Sequence, residues 1–424
     1  MLDIKFIREN TDLIKEAARK KRLPFNVDEL VDADQKRLEV LSSVESLRTE
    51  QNTASDKMTQ ITNDEERHLL IAEMRELKEH LKEKEEMLRE AMKTWHALML
   101  QVPNVPDMTV PEGMSDADNV EERVWGEKPA FTFTPKDHIE LMENLDMVDF
   151  ERGTKVAGFR GYFLKNDGAM LEFALWQYFI DNLVQNKGFT PMIVPSLVRK
   201  ETLFGTGYLP QGEEDLYKVG EDHYMSGTAE VATMGYYMGE ILNKADLPKK
   251  FLSFSPCFRA EAGSHGKDVK GLIRVHEFMK LEQVVLCEAS HEQSVKLHEE
   301  ITANVEELLQ ALELPYHIVV NCGGDLGLGQ VKKYDIEVWT PSQNTYRETH
   351  SASYFHDFQT RRLNIRYKDD DGKMRYVHSL NNTAVATPRI LTNIIENYQQ
   401  EDGSIKIPKV LQKYMGGREV IKKM

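Results

Sequence analysis

FLSFSPCFRAEAGSHGKDVKGLIRVHEFMKLE, residues 251–282, contains two runs of alternating side chains separated by a glycine-rich loop. The apolar Leu252 and Phe254 share one parity of the first run, and the charged Arg259 and Glu261 share the other. Because successive side chains of a strand point to opposite faces, the apolar set is predicted to be buried and the charged pair to face away from it. The second run places a further set on one parity: Arg274, His276, Phe278, Lys280 and Glu282. The stretch therefore predicts a β-hairpin with arginines, carboxylates and an aromatic ring on one surface.

Such a surface suits a nucleotide. Arginine can hold a phosphate through two parallel N–H bonds, a phenylalanine ring can stack on a base, and a carboxylate can accept from an amino group. A solvated strand face with surface ion pairs fits the same alternation equally well. The sequence has no G-x-x-x-x-G-K-[ST] phosphate loop, and GGDLGLGQ (323–330) lacks the context of a dinucleotide fingerprint. A nucleotide site in this chain must be built on sheet residues.

Two other stretches repeat the two-residue offset of polar side chains. In MSGTAEVAT, residues 225–233, Thr228 and Glu230 are predicted to point the same way. Asn381 and Thr383 are predicted to do so further along the chain. We expect these side chains to converge with those of the hairpin on one cleft.

The helix predicted at residues 389–400 is expected to start with Thr387 as its N-cap and Pro388 as its first helical residue. Arg389 would then lie in the first turn, where free backbone N–H groups and the helix dipole already favour an anion. A capped helix with an exposed arginine explains the same residues without any ligand.

Three further side chains are chemical candidates with ordinary alternatives. Glu348 could bind a metal ion, although a single carboxylate at the end of a strand is usually solvated. His265 and His276 could act as general bases, although a lone histidine in a loop or strand is more often a hydrogen-bonded structural residue.

The N-terminal quarter has a different pattern, with no glycine or proline over residues 30–98. Apolar or small residues recur at alternating spacings of three and four, which is typical of a coiled coil. A polar break at residues 62–65 can cap a new helix. The sequence therefore predicts an antiparallel two-helix hairpin with this heptad seam: Val44, Leu47, Gln51, Ala54, Met58 and Ile61, then Leu70, Met74, Leu77, Leu81, Lys84, Leu88, Ala91, Trp95 and Leu98.

A linker follows at QVPNVPDMTVPEGMSD, residues 101–116, where three prolines and a glycine break helicity. We expect an N-terminal arm over 1–110 and a second domain over 111–424. The second part contains short β-rich runs and helices at 291–312 and 389–400. This mixture predicts an α+β domain with a mainly antiparallel sheet flanked by helices.

Composition narrows the class of protein. Three cysteines without a paired motif make a disulfide framework or a zinc–thiolate site improbable, which favours a reducing, cytoplasmic setting. No stretch approaches the roughly 20 apolar residues of a membrane helix, so no membrane is expected as a partner. The formal charge of −16 argues against a broadly basic nucleic-acid binder, although local basic patches can still bind RNA.

The charged hairpin, residues 258–282, closely resembles motif 2 of the class II aminoacyl-tRNA synthetases, and in particular that of the seryl-tRNA synthetases. GTAEVA matches their serine-binding Thr-Ala-Glu signature, and KKYDIEVWTPSQNTYRE matches the stretch before their metal-binding glutamate. GFTPMIVPSLV is similar to motif 1, and LNNTAVATPRILTNIIENYQQEDGSIKIP to motif 3. The resemblance covers nearly the whole chain, including the hairpin that the family uses as a tRNA-binding arm.

The resemblance implies an ATP-dependent ligase that forms seryl-adenylate and passes serine to tRNA(Ser), with tRNA(Sec) as an additional expected acceptor. It implies a homodimer, with Mg²⁺ bound by Glu348 and Ser351. The implied catalytic residues are Arg259, Glu348 and Arg389. The implied ATP site is Arg259, Ala260, Glu261, Arg274, Val275, Phe278, Glu348, Thr349, His350, Ser351 and Arg389. The implied L-serine site is Thr228, Ala229, Glu230, Arg259, Glu282, Asn381 and Thr383.

The chain departs from the family pattern at several uncharged positions, among them Gly227, His350 and Tyr354. These changes bear on the shape of the pocket rather than on its charged residues. Two other functions compete: a paralogue that loads an amino acid onto a carrier protein, and a coiled-coil adaptor with a degenerate catalytic domain. The full-length arm argues against the first, and the retained charged residues argue against the second.

Overall fold

The computed structural model describes residues 1–263, 266 and 268–423. The chain divides into two compact units, residues 1–103 and 104–424. No helix of the described residues is both long enough and apolar enough to cross a membrane.

The first unit consists of helices and the loops that connect them. In the second unit helices flank the sheet. The helices are α1 Ile4–Glu9, α2 Thr11–Lys20, α3 Val27–Met58, α4 Asp64–Met99, α5 His138–Asn144, α6 Phe150–Ala157, α7 Asp167–Ile180, α8 Lys200–Thr206, α9 Ala229–Gly235, α10 His291–Ala311, α11 Phe358–Leu363, α12 Arg389–Asn397 and α13 Lys409–Gln412.

The strands all lie in the second unit. They are β1 Val120–Trp125, β2 Val148–Asp149, β3 Phe163–Leu164, β4 Thr190–Ile193, β5 Leu197–Arg199, β6 Tyr217–Val219, β7 His223–Met225, β8 Ile241–Leu242, β9 Lys249–Phe258, β10 Glu277–Cys287, β11 Tyr316–Val320, β12 Lys332–Thr340, β13 Thr345–His356, β14 Arg366–Lys368, β15 Met374–Tyr376, β16 His378–Thr387, β17 Ile405–Lys406 and β18 Val420–Ile421.

The predicted helical hairpin is confirmed in the first unit. Asn63 caps α4 by accepting from the backbone N–H of Glu65 at 2.9 Å, within the polar break that the sequence indicated. Arg48 pairs with Glu85 at 2.7 Å, and the earlier Arg37 lies over the ring of the later Trp95. The order of these contacts makes α3 and α4 antiparallel. All fifteen residues of the predicted seam are buried or half-buried.

The second unit is built on an eight-stranded sheet, in the order β1-β11-β12-β13-β16-β10-β9-β4. All neighbouring strands are antiparallel except β4 and β9, which are parallel. One large apolar cluster joins the sheet to α7, α10 and α12. The predicted α+β class, with a mainly antiparallel sheet flanked by helices, is therefore confirmed.

The predicted burial of β9 is wrong in one respect, because the strand is covered on both faces. Phe254 is only half-buried and packs against the ring of Trp176 on α7, with 5.1 Å between ring centroids. On the other face the small Ser253 is fully buried and accepts from Thr233 of α9 at 2.7 Å. Serine and cysteine occupy this face because α9 packs directly over it.

Two predicted boundaries are also corrected. The strands of the hairpin end at Phe258 and resume at Glu277, so Arg259 and Arg274 lie outside the regular ladder. Helix α12 begins at Arg389, and Thr387 is the last residue of β16 rather than an N-cap. Its hydroxyl instead donates to the buried Glu172 carboxylate of α7 at 2.7 Å.

Candidate active site

Two adjoining cavities open beside the central strands of the sheet. The first encloses about 510 Å³ and the second about 840 Å³ of empty space. Four residues line both cavities: Arg259, Lys280, Glu348 and Thr383. The two cavities therefore share a wall that carries two cations and a carboxylate.

The first cavity has an aromatic and arginine-rich lining. It is lined by Arg259, Glu261, Ile273, Arg274, Val275, Phe278, Lys280, Glu348, Thr349, Thr383, Ala386, Thr387, Pro388 and Arg389. The guanidinium of Arg259 lies 5.3 Å from the centre of the Phe278 ring, within cation–π range. Its Nε donates to the carbonyl of Gly227 at 3.3 Å. An ideal Cβ at position 227 would lie 3.3 Å from Cγ of Arg259, so glycine leaves this arginine room.

Arg274 and Arg389 both line the first cavity. Arg274 is in close ion-pair contact with Glu261. Arg389 donates through Nε to the carbonyl of Ile273 at 3.0 Å and through Nη1 to the carbonyl of Glu348 at 2.7 Å. Two backbone acceptors therefore aim this guanidinium, and part of its donor capacity remains for a ligand.

Glu348 stands at the shared wall as an ionised carboxylate. Desolvation works against its charge, but the neighbouring Arg389 and Lys333 cations hold the pKa of Glu348 below its usual value. Burial alone would lower the pKa of Lys333, but the carboxylates of Asp335 and Glu348 raise it above the usual range. The side chain of Glu348 is 46% exposed, so its oxygens remain accessible to a ligand.

The second cavity contains two buried carboxylates. Glu230 accepts from the Tyr208 hydroxyl at 2.8 Å and from the Gln359 amide at 2.6 Å. Gln359 is in turn fixed by Ser379, whose hydroxyl donates to its Oε1 at 2.7 Å. These bonds hold Glu230 in one orientation.

The other carboxylate, Glu282, is buried against Lys280 in a close ion pair. Lys280 also donates to the Thr228 hydroxyl at 3.2 Å. Burial raises the pKa of Glu282 above its usual value, although the Lys280 ammonium works in the opposite direction. The pocket thus presents a carboxylate whose charge depends on one buried lysine.

The predicted serine-site residues converge on this second cavity through different elements. Thr228 is the N-cap of α9 and accepts from the Glu230 N–H, so a helix start rather than an extended segment brings these two together. Asn381 and Thr383 reach the cavity from β16. The side chain of Ala229 is buried and does not line the cavity.

Among the predicted ATP-site residues, His350 lies apart from both cavities. Its ring is buried, bonds to the Thr349 hydroxyl at 2.7 Å and lines neither cavity, and burial lowers its pKa to about 3. The side chain of Ala260 also lines neither cavity, whereas Val275 and Thr349 line the first and Ser351 the second. Tyr354 is directed away from the cleft and donates to Asp107 at 2.8 Å.

Of the two histidines considered as general bases, His276 lines neither of these cavities. His276 is tied to the backbone carbonyl of Arg259 at 2.9 Å. His265 lies outside the described residues.

Four residues that line the second cavity were not among the predicted site residues: Tyr208, Lys280, Lys333 and Gln359. Lys280 shares its parity with Glu282, which was an available signal. The other three come from separate loops and elements, and no local pattern connects them with the site.

The donor set at the shared wall fits Mg²⁺. Glu348 and Ser351 line the second cavity together and supply a carboxylate and a hydroxyl oxygen. Mg²⁺ is usually held by one or two carboxylates and substrate phosphates rather than by an all-protein cage. Accordingly, the described part of the chain has no group of three His, Cys, Asp or Glu residues able to hold a metal.

Comparisons with known proteins agree with this arrangement. Residues 1–106 match the family described as "Seryl-tRNA synthetase N-terminal domain". Residues 215–398 match "tRNA synthetase class II core domain (G, H, P, S and T)". The chain is 48% identical to the serine–tRNA ligase of Deinococcus radiodurans over 99% of both proteins. It is 44% identical to that of Clostridium tetani over the full length of both.

Solved structures give the same relationship. The seryl-tRNA synthetase of Pyrococcus horikoshii, solved in complex with ATP, superposes with a TM-score of 0.91, at 41% identity and full coverage of both chains. The cytoplasmic serine–tRNA ligase of Naegleria fowleri, in complex with AMP, has a TM-score of 0.86 at 32% identity, covering 100% of this chain and 99% of the other.

Proposed function

The chain belongs to the seryl-tRNA synthetase family, and on that premise we propose how its residues divide the work of ATP-dependent ligation of serine to tRNA. In the first step a serine carboxylate oxygen attacks the α-phosphate of ATP, forming seryl-adenylate and releasing pyrophosphate. In the second step the 3′-terminal adenosine of tRNA displaces AMP from the seryl group. The observation that carries the assignment of residues is the wall shared by the two cavities.

ATP is assigned to the first cavity. Phe278 stacks on the adenine, and Glu261 accepts from its amino group. Arg274 and Arg389 hold the outer phosphates, where bidentate guanidinium donors match phosphate oxygens. Val275 and Thr349 line this cavity and complete the nucleotide's surroundings, and Ala260 and His350 are chain neighbours of lining residues.

Serine is assigned to the second cavity. Of its two buried carboxylates, Glu230 and Glu282, one receives the ammonium group of serine. The other binds the serine hydroxyl together with Thr383. Thr228, the backbone at Ala229, and Asn381 close the pocket. Because these groups would be left unpaired by alanine or glycine, a pocket of this kind rejects both amino acids strongly.

The chemistry then rests on position and charge. Arg259 lines both cavities, so one guanidinium can hold the serine carboxylate and the α-phosphate together. It neutralises the charge that gathers at the α-phosphate as the new bond forms and pyrophosphate leaves. No protein base is required, since the attacking carboxylate is already ionised.

Mg²⁺ is assigned to Glu348 and Ser351. When bound there, it supplies charge neutralisation to the phosphates. The protein's own contribution is an accessible carboxylate whose charge is held by Arg389 and Lys333.

The N-terminal segment, residues 1–110, is assigned as the arm that binds tRNA(Ser), and tRNA(Sec) if that RNA is charged. A basic stripe on α4 supports this assignment. At about 100° per residue its members fall within an arc of about 80° and extend over about 39 Å. The stripe consists of Arg67, Arg75, Lys78, Lys82, Arg89 and Lys93, all of them exposed.

The stripe is left open to a polyanion. Within residues 1–103, all of which the structure describes, only Arg89 of these six forms an ion pair, with Glu86 at 2.8 Å. Several members are three or four residues apart, and like charges at those spacings destabilise an isolated helix. A row of phosphates would remove that repulsion.

A homodimer working in the cytoplasm completes the proposal. Helix α7 and the edge strand β4 expose large apolar side chains, including Phe173 at 55% and Ile193 at 87%. Exposed apolar surface and an unpaired strand edge are typical of a subunit interface. The three free, buried cysteines suit a reducing compartment.

Serine-dependent exchange of pyrophosphate into ATP is the test of the first step. Wild-type protein should exchange with serine and should not with alanine or glycine. Arg259→Ala should lower the exchange rate about 100-fold or more, since it removes charge stabilisation at the reacting phosphate. Exchange with threonine or alanine but not serine would overturn the substrate assignment, and near-normal exchange by Arg259→Ala would overturn the role of the shared wall.

Charging of purified tRNA(Ser) is the test of the second step. A carrier-protein ligase would show exchange without charging the RNA, whereas an adaptor would show neither activity.

A further inference from the structure

We infer that His138 is a positioning residue for ATP, holding the backbone just before Arg274 in place through a buried link to α12. The inference rests on the proposed function, because it assumes that the first cavity takes the nucleotide. His138 lines neither cavity.

The tautomer of His138 follows from its partners. The ring is buried, with Nε2 3.1 Å from the backbone nitrogen of Leu272 and Nδ1 2.9 Å from Oε1 of Glu396. A backbone N–H can only donate, so Nε2 must be the acceptor and Nδ1 must carry the hydrogen. His138 is therefore a neutral relay between a loop and a carboxylate.

Glu396 anchors this relay inside α12. It is fully buried, and its Oε1 also accepts from the backbone N–H of His138 at 3.0 Å. Its Oε2 accepts from the N–H of Ser342 at 3.1 Å. Three donors satisfy this carboxylate, two from His138 and one from Ser342, and together they fix the histidine ring in one orientation.

The link reaches the nucleotide cavity at the next residue, because Ile273 itself lines that cavity. Next to Leu272, the carbonyl of Ile273 accepts from Arg389, the first residue of α12. Two consecutive residues of the loop are thus tied to the two ends of α12. Ile273 is bonded directly to Arg389 at the start of the helix, and Leu272 is linked through His138 to Glu396 near its end. Arg274 and Val275 follow immediately and line the first cavity.

The loop backbone also packs tightly on the ring. Gly271 has a positive φ of 81°, and an ideal Cβ there would lie 2.3 Å from Nε2 of His138. Nothing larger than glycine fits between the loop and the histidine without displacing one of them.

Two variants of His138 separate its acceptor from its donor. Asn places an amide N–H near the position of Nδ1 but has no acceptor near Nε2, whereas Gln can place its oxygen near Nε2. In serine-dependent exchange we expect His138→Asn to raise the KM for ATP about tenfold and to leave the KM for serine within about twofold. His138→Gln should keep the KM for ATP within about threefold of wild type.

Gly271→Ala provides an independent check, since it disturbs the packing of the loop against the ring while residue 138 remains histidine. It should raise the KM for ATP in the same selective way, even if His138→Asn fails to fold. Equal increases in both KM values, a wild-type KM for ATP in His138→Asn or Gly271→Ala, or a Gln variant as impaired as the Asn variant would each overturn the inference. A wild-type protein without serine-dependent exchange would instead overturn the proposed function.

Discussion

At the scale of single residues, the site depends on ionised side chains that are buried from solvent. Lys280 and Glu282 neutralise each other in the lining of the second cavity, and Lys280 also donates to Thr228. Removing one partner of such a pair leaves an uncompensated buried charge, which costs far more than the pair contributes when intact.

Replacing Lys280 with methionine should therefore raise the KM for serine about 100-fold or more in the exchange assay, because Glu282 would then take up a proton. The KM for ATP should change less. Lys368→Met removes an exposed lysine and is the matched control. A Lys280→Met enzyme with a normal KM for serine would show that Glu282 does not need its partner.

A second residue-scale prediction concerns Glu172, whose pKa is raised by burial to about 7. Between about pH 4.5 and pH 7 the folded protein holds a proton there that the unfolded chain has lost, so this residue lowers stability as pH rises through that window. Glu172→Gln should gain stability relative to wild type by about 3 kcal/mol from pH 4.5 to pH 8.

Urea unfolding at several pH values measures the difference, with the exposed Glu151→Gln as control. A constant difference between Glu172→Gln and wild type across the range would mean that Glu172 titrates normally.

At the scale of elements, prediction succeeded where a pattern is local and repeated. Three-and-four spacing identified both arms of the hairpin, and Asn63 marked the start of α4. It failed at β9, because alternation shows that a strand has two faces but not that α9 covers the second one. It failed at Thr387 for a similar reason, since the partner of that hydroxyl is Glu172, far away in the sequence.

The residues of the candidate site likewise divide into those that a local sequence pattern predicts and those that depend on packing between distant segments. Phe278 and Glu282 could be predicted because strand β10 places them at regular intervals. Arg259 and Glu261 reach the first cavity from beyond the end of β9, so their place there does not follow from strand alternation. Tyr208 and Gln359 could not, because they meet at Glu230 only when α8, α9 and α11 pack together. The burial of His350 depends on which face of β13 it occupies, and an irregularity in the pairing of β12 with β13 alters that register.

The basic stripe gives a prediction at this scale. Lys78→Glu combined with Lys82→Glu should raise the KM for tRNA about tenfold or more and reduce the dependence on salt, because two phosphate contacts are replaced by repulsion. Exchange with serine should be unchanged. The matched control is Lys36→Glu combined with Lys57→Glu, which makes the same change of charge on exposed lysines of α3. Equal losses in both double variants would indicate a general effect of charge rather than a defined face.

At the scale of the whole molecule, the net charge of −16 and an RNA substrate are compatible because charge is distributed unevenly. The acidic excess keeps the chain from binding nucleic acid indiscriminately, while the stripe on α4 offers a narrow row of cations. Composition alone could exclude a broadly basic binder but could not locate this row.

Assembly is the prediction that belongs to this scale. Phe173→Glu places a charge on the exposed apolar surface of α7 and should shift the protein from dimer to monomer in sedimentation equilibrium. Leu69→Glu alters an apolar residue on α4 that is more exposed than Phe173, at 68%, and should leave the dimer intact. A wild-type protein that sediments as a monomer would overturn the assignment of this surface.

The guanidinium common to both cavities has a consequence for inhibition. Since Arg259 lines both of the cavities that we assign to ATP and serine, one compound that joins an adenosine-like half to a serine-like half can contact this guanidinium from each of them. Once one half of the compound is bound, the other half binds without a further loss of translational and rotational entropy. The affinity of the joined compound therefore rises well beyond that of either half alone. Resistance would be hard to acquire, because a change at Arg259 that weakened such a compound would weaken catalysis too.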